Sequence, residues 1–154
     1  MKKLVWGPYI WTFLHCFTMR IKEKYFEEEK KNIIDNIFKI CNSLPCPLCA
    51  IDATEYLKKH NFKLIKTKNH LITIIFNLHN HVNNKLKQKE FEYTDLEKTY
   101  NIYNFQKLII GYINLSNNIN YNERMMLYTM KRKEFLKNLL DYFKENIHKY
   151  NIVV

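Results

Sequence analysis

Apolar residues return every three or four positions along most of this chain, the spacing of one helix face. Trp11, Leu14, His15, Thr18 and Ile21 share such a face in a segment predicted to run from Pro8 to about Tyr25. Pro8 suits the first turn of that helix. A second run, over 29–43, carries Ile33, Ile34, Ile37, Phe38, Ile40 and Cys41 until "SLPCP" (43–47) interrupts it. A third, over 47–60, carries Leu48, Ile51, Tyr56 and Leu57; a fourth, over 68–89, carries Leu71, Ile72, Ile75, Leu78, His79, Val82 and Leu86. Thr94 or Asp95 suits the cap of a fifth helix, predicted to continue to about Leu115. After a polar break, "SNNINYN" (116–122), a last helix over 122–148 carries Met126, Phe135, Leu139, Leu140 and Phe143. No segment alternates cleanly with a period of two, and there is no internal repeat. The expectation is an all-α protein, with a four- or five-helix bundle over 1–104. A helical C-terminal extension over 105–154 is expected on or beside the same domain.

Composition agrees. The 154 residues are 47% hydrophobic and 15% aromatic, which suits one globular domain and excludes a disordered chain. Only 2 glycines and 3 prolines leave little punctuation for the many turns of a sheet protein. The balance of 25 Lys and Arg against 15 Asp and Glu gives a net charge of +10. That charge fits an anionic partner such as nucleic acid, a phosphate-bearing cofactor or an acidic surface, and equally a plain solvated basic surface. Gly7 and Pro8 cut short any apolar run after "MKK", so no signal peptide is expected; "LITIIF" (71–76) is too short to span a bilayer. The expected location is cytoplasmic. In a reducing compartment the four cysteines, 16, 41, 46 and 49, do not read as a disulfide scaffold.

The pair Cys46 and Cys49 can hold a metal, exchange disulfides or fill a core. Structural zinc wants four ligands, and Cys16, Cys41, His60 and His79 show no ligand spacing of their own. Pro45 and Pro47 end one helix and begin the next, which places Cys46 at a helix N-terminus. There the helix dipole and free N–H groups stabilise a thiolate, and Cys49 shares the face one turn on. A thioredoxin fold is disfavoured, because a helix and not a strand precedes the motif. A redox pair on a helical frame needs an electron acceptor, which organic cofactors supply. "FNLHNHVNNKLKQK" (76–89) puts Asn80, Asn83 or Asn84, and Lys87 on one predicted helical face. Asparagine is a poor helix former, so the stripe reads as ligand contacts or as a solvated face in an Asn-rich chain. Lys85, Lys87 and Lys89 are placed to meet a diphosphate. Trp11 and His15, taken alone, read as ordinary core residues.

Together, "WGPYIWTFLH" (6–15), "SLPCPLC" (43–49) and "FNLHNHVNNKL" (76–86) resemble the Erv/ALR family of FAD-linked sulfhydryl oxidases. They look most like the single-domain members encoded by large cytoplasmic DNA viruses. The resemblance covers about residues 4–92. It implies a helical bundle that cradles FAD, usually in a homodimer. It implies a thiol oxidase that takes electrons from a dithiol-bearing partner, such as a thioredoxin-like or CxxC shuttle protein. The electrons would pass to FAD and then to O2, giving H2O2, in a viral cytoplasmic pathway that forms disulfides in virion proteins. Carried over by position, Cys46 and Cys49 match the redox pair, with Cys46, expected to be the more exposed, exchanging and Cys49 facing the flavin. Gly7, Trp11, His15, His79, Asn80, Val82, Asn83, Lys85 and Lys87 match cofactor-binding positions, and no metal site is implied. Two departures stand out. Asp52 occupies a position where many relatives carry histidine, and Pro8 follows the glycine where an arginine is common. Cys16 and Cys41 are expected to be buried thiols or a structural bond. The alternative reading is a basic helical binding module for nucleic acid or a partner protein, with a zinc-bound CxxC.

Overall fold

The computed structural model describes residues 3–118 and 126–154. Helix α1 spans Lys3–Arg20, α2 Phe26–Asn42, α3 Pro47–Lys59, α4 Lys68–Lys85, α5 Leu96–Tyr100, α6 Phe105–Asn117 and α7 Met126–Asn146. Among the described residues there is no strand, only an isolated antiparallel bridge between Ile21 and Tyr150. The fold is all-α, as the periodicity predicts.

Helix α1 is the axis of the bundle. Trp6, Ile10, Phe13, Leu14, His15, Cys16, Phe17, Thr18 and Arg20 are all buried, which leaves no broad solvent face. A helix apolar on every side must be wrapped by others. Helix α4 packs along one flank and α6 along another; α2 carries α3, and α6 carries α7. The helix starts earlier than the sequence suggests, and Pro8 lies inside it. Loss of one backbone hydrogen bond at a proline is outweighed here by burial of Trp6, two residues earlier. At its other end α1 stops at Arg20, short of Tyr25, because Ile21 leaves the helix to pair with Tyr150.

The predicted fifth helix is broken in two at 101–104. Asn104 caps the second piece, its Oδ1 accepting from the Lys107 N–H at 3.0 Å. The polar break expected over 116–122 starts late, since α6 continues through the buried Ser116 to Asn117. The rest of that break, and the side chain of Met126, lie outside the described residues.

Helices α6 and α7, with Tyr150 beyond them, share the core of α1. The Phe13 ring stacks on Tyr112 at 4.5 Å, and Phe17 meets Phe143 at 5.1 Å. Arg20 then closes the end of the bundle. Its buried guanidinium donates to the carbonyls of Tyr100 (3.0 Å), Tyr103 (2.7 Å), Asn151 (3.3 Å) and Ile152 (2.8 Å). The Arg20 carbonyl in turn accepts from the Asn151 N–H at 2.7 Å. A second polar lock ties α2 to the chain end. The buried Glu29 accepts from the Tyr142 hydroxyl and from the Lys149 ammonium, each at 2.8 Å. Burial alone would raise the Glu29 pKa, but these bonds and one from Asn32 hold it below the ordinary value.

Arg20 is the joint on which the end of α1, the 101–104 break and the C-terminus all depend. Arg20→Ala is expected to destabilise the protein by about 3 kcal/mol or more, because four carbonyls lose a charged donor. Arg20→Lys should restore only part of this, since one ammonium cannot reproduce the planar fork. Urea unfolding of the three proteins measures both effects.

Candidate functional site

Pro45 and Pro47 bracket Cys46 and fix where α3 begins. Cys46 is the N-cap in an extended conformation, with Pro47 as the first helical residue. Cys46 and Cys49 are joined in a disulfide. The Cys49 N–H donates to Cys46 Sγ at 3.2 Å, so this sulfur already sits at the positive end of a helix. When the pair is reduced, that placement favours a thiolate on Cys46. Both cysteines are half-buried. Cys16 and Cys41 are free and buried, with the Cys16 thiol directed at the Tyr100 carbonyl at 3.6 Å.

The contact face of α1 and α4 brings three predicted residues together. The Trp11 ring stacks on His79 at 4.2 Å with the planes 10° apart. His15 Nε2 and His79 Nδ1 share a hydrogen bond of 2.9 Å. His15 also stacks on Tyr100 at 4.4 Å, and Phe91 closes the group from the loop after α4. The result is a wall of aromatic and imidazole rings. Burial, with a smaller effect from His79, pushes the His15 pKa down to about 3; burial pushes His79 down to about 4. Both rings are therefore neutral near pH 7, which is what a bond needing one N–H and one lone pair requires. His15 Nδ1 is buried and has no partner.

The asparagine stripe is used in an unforeseen way. Asn80 grips the backbone of Phe91 at two points: its Oδ1 accepts from the Phe91 N–H at 2.7 Å, and its Nδ2 donates to the Phe91 carbonyl at 2.9 Å. Asn83, buried, donates to Asn80 Oδ1 at 3.3 Å. Helix α4 ends at Lys85, four residues earlier than the periodicity suggests, so Lys87 is not on its face. Lys87 has φ of 55°, and the N–H groups of Lys87 and Gln88 bond the carbonyls of Asn84 (3.1 Å) and Asn83 (2.8 Å). This is a Schellman cap with lysine in the usual place of glycine. The left-handed residue costs on the order of 1 kcal/mol, and it turns the chain back so that Asn80 can hold Phe91.

Asp52 explains where Lys85 goes. The Lys85 ammonium lies 2.5 Å from Asp52 Oδ1, and His81 Nε2 lies 3.3 Å from the same carboxylate. Burial would raise the Asp52 pKa, but the hydrogen bonds from Lys85 and His81 outweigh it and hold it below its ordinary value. Asp52 is one turn beyond Cys49, so this cluster ties the helix of the cysteine pair to the helix of His79. Tyr56, one further turn along α3, packs its ring on His81 at 4.7 Å. His81 has no counterpart in the sequence reading. It is two residues from His79 and so lies on another face, and its partner comes from a different helix. Gly7 and Val82, both half-buried, lie on α1 and α4. Among the described residues, no group of three His, Cys, Asp or Glu is placed to hold a metal ion, and no helix is long and apolar enough to cross a membrane.

The neutral imidazole pair has a consequence for stability against pH. In the unfolded chain these histidines take up protons near pH 6.5, whereas in the fold they resist until about pH 4 and 3. The unfolded state therefore binds more protons as the pH falls, and stability is lost downward from pH 6.5, by roughly 1.4 kcal/mol per pH unit for each ring. The window from pH 6.5 to 4.5 lies above the ordinary carboxylate range and isolates this effect. Thermal melts across it should show Tm falling steadily, with a shallower slope in His79→Gln.

The family model described as "Erv1 / Alr family" matches residues 8–101. A FAD-linked sulfhydryl oxidase of African swine fever virus, from a Namibian warthog isolate, is 31% identical over 97 residues. The matched stretch is 63% of this chain and 81% of that protein. The oxidase of the same name from a Kenyan pig isolate is 30% identical over 97 residues, with the same coverage. No solved structure gives a significant match. The match covers the cysteine pair, the ring wall of α1 and α4, and the loop that carries Phe91, so the chain belongs to the Erv1/Alr family.

Proposed function

We propose that this protein is an FAD-linked thiol oxidase that makes disulfide bonds in partner proteins and reduces O2 to H2O2. The observation that carries the reading is the Cys46–Cys49 disulfide at the N-terminus of α3, in a chain of this family. A substrate thiolate attacks Cys46, the bond to Cys49 breaks, and Cys49 leaves as a thiolate. A second substrate thiol loses its proton and resolves the mixed disulfide, freeing Cys46. Two electrons have then moved from the substrate dithiol to the pair. FAD, when bound, accepts those two electrons and passes them to O2.

The residues present fit that cofactor. Trp11, His15 and His79 offer a flat ring wall, and the buried His15 Nδ1 has no hydrogen-bond partner within the described residues, which leaves it open to a polar group of a cofactor. FAD offers both flat rings and polar edges. Asn80 and Asn83 act on the wall indirectly, by holding Phe91. Lys85 is already paired with Asp52, so Lys87 and Lys89 are the freer candidates for the diphosphate. We assign 1–104 as the FAD-binding bundle, with 105–154 completing its core, and expect a homodimer. The dithiol partner, the virion-protein pathway and a cytoplasmic site of action belong to the same reading. The zinc-bound alternative finds no third ligand among the described residues.

The purified protein is expected to be yellow, with a flavin absorption spectrum. Dithiothreitol in air should produce one H2O2 per disulfide formed, measured by an oxygen electrode and a peroxide assay. Cys46→Ser and Cys49→Ser should each keep the bound flavin and lose about a hundredfold or more in turnover. Full activity in either variant would discard the assigned route.

A further inference from the structure

Two large apolar side chains stand in solvent beside the disulfide. Leu48, between the two cysteines, is 78% exposed, and Ile51, one turn on, is 53% exposed. They share one stripe of α3, while Ala50, Ala53, Thr54 and Leu57 face inward. The first turn of α3 carries no acidic side chain, although a helix N-terminus favours one. Two exposed apolar residues thus fall on the flank of the redox pair.

The position of that flank names its occupant. A thiolate that attacks Cys46 brings its own polypeptide over the first turn of α3, and Leu48 and Ile51 project from that turn. Any protein substrate must cover them. A second copy of this chain seated on the same stripe would cap the disulfide and block exchange. We propose that Leu48 and Ile51 form a docking lip for the substrate's cysteine-bearing segment. The lip selects segments with apolar side chains next to the reacting cysteine. This rests on the thiol oxidase reading and adds to it a substrate preference. Small dithiols do not reach the lip and react at the sulfurs alone, so the two kinds of substrate separate docking from chemistry.

The test uses the full-length, FAD-loaded protein with three reductants. Two are reduced synthetic peptides, identical except that the residues flanking a CxxC are leucine and isoleucine in one and serine in the other. The third is dithiothreitol. For the wild type, kcat/KM for the apolar peptide should exceed that for the polar one by about tenfold. In Leu48→Ser/Ile51→Ser the preference should shrink to about twofold or less, while dithiothreitol turnover stays within about twofold of wild type. Equal kcat/KM for the two peptides in the wild type, or an undiminished preference in the variant, overturns the lip. So does a fall from dimer to monomer in the variant by sedimentation, which would make the stripe a self-association surface. Failure of the wild type to oxidise dithiothreitol is a separate outcome and overturns the oxidase reading beneath it.

Discussion

The structure depends on one constraint: from Phe13 to Thr18, more than a full turn, α1 buries every side chain. An 18-residue helix with buried residues at almost every turn needs neighbours around its whole circumference. Helix α4 and helix α6 meet that need from two directions, and they do different work. The α6 flank is a plain aromatic core, with Phe13 on Tyr112 and Phe17 toward Phe143. The α4 flank is where the packing takes on polar chemistry, because Trp11 and His15 meet His79 there. The site is thus one side of the core, built by the same helix that organises the fold.

Polar side chains set the geometry of that site from behind. Asn80 fixes Phe91, the Schellman cap at Lys87 returns the chain so that it can be fixed, and Asp52 binds α3 to α4 through Lys85 and His81. Each of these is a hydrogen bond or ion pair between segments that helical packing alone would hold loosely. The ring wall and the cysteine pair are therefore carried on helices whose relative placement is pinned at one end by Asp52 and along the contact face by the His15–His79 bond. A side chain in the family's cofactor motif can serve by positioning a ring as well as by touching a ligand.

Much of this was legible in the sequence, and the boundary of legibility has physical causes. The start of helix α3 was readable to the residue because two prolines bracket it, and proline's limits are local. The existence of α1, α2, α4 and α7 followed from periodicity, also a local property. What escaped the sequence was set by distant partners. Pro8 sits inside α1 because Trp6 is buried, and α1 stops early because Tyr150, 129 positions on, takes up Ile21. The break at 101–104 is held by Arg20 from another helix, and nothing in the local spacing announces it. Trp11, His15 and His79 were readable from the family motif. Phe91, Tyr100 and His81 were not, since each joins the site through a turn or a neighbouring helix.

The two free cysteines acquire a meaning beside this chemistry. A catalyst of disulfide formation lives with oxidised sulfur in its own site and, under the reading above, with peroxide as its product. Its own thiols are the nearest targets of both. Cys16 and Cys41 are buried, and burial pushes their pKa values up to about 11, against a smaller opposing effect of Arg20, and about 12. At pH 7 a thiol of that kind is ionised in roughly one molecule in ten thousand or fewer, and the thiolate is the reactive form. The core that supports the site thereby also keeps Cys16 and Cys41 in the unreactive thiol form.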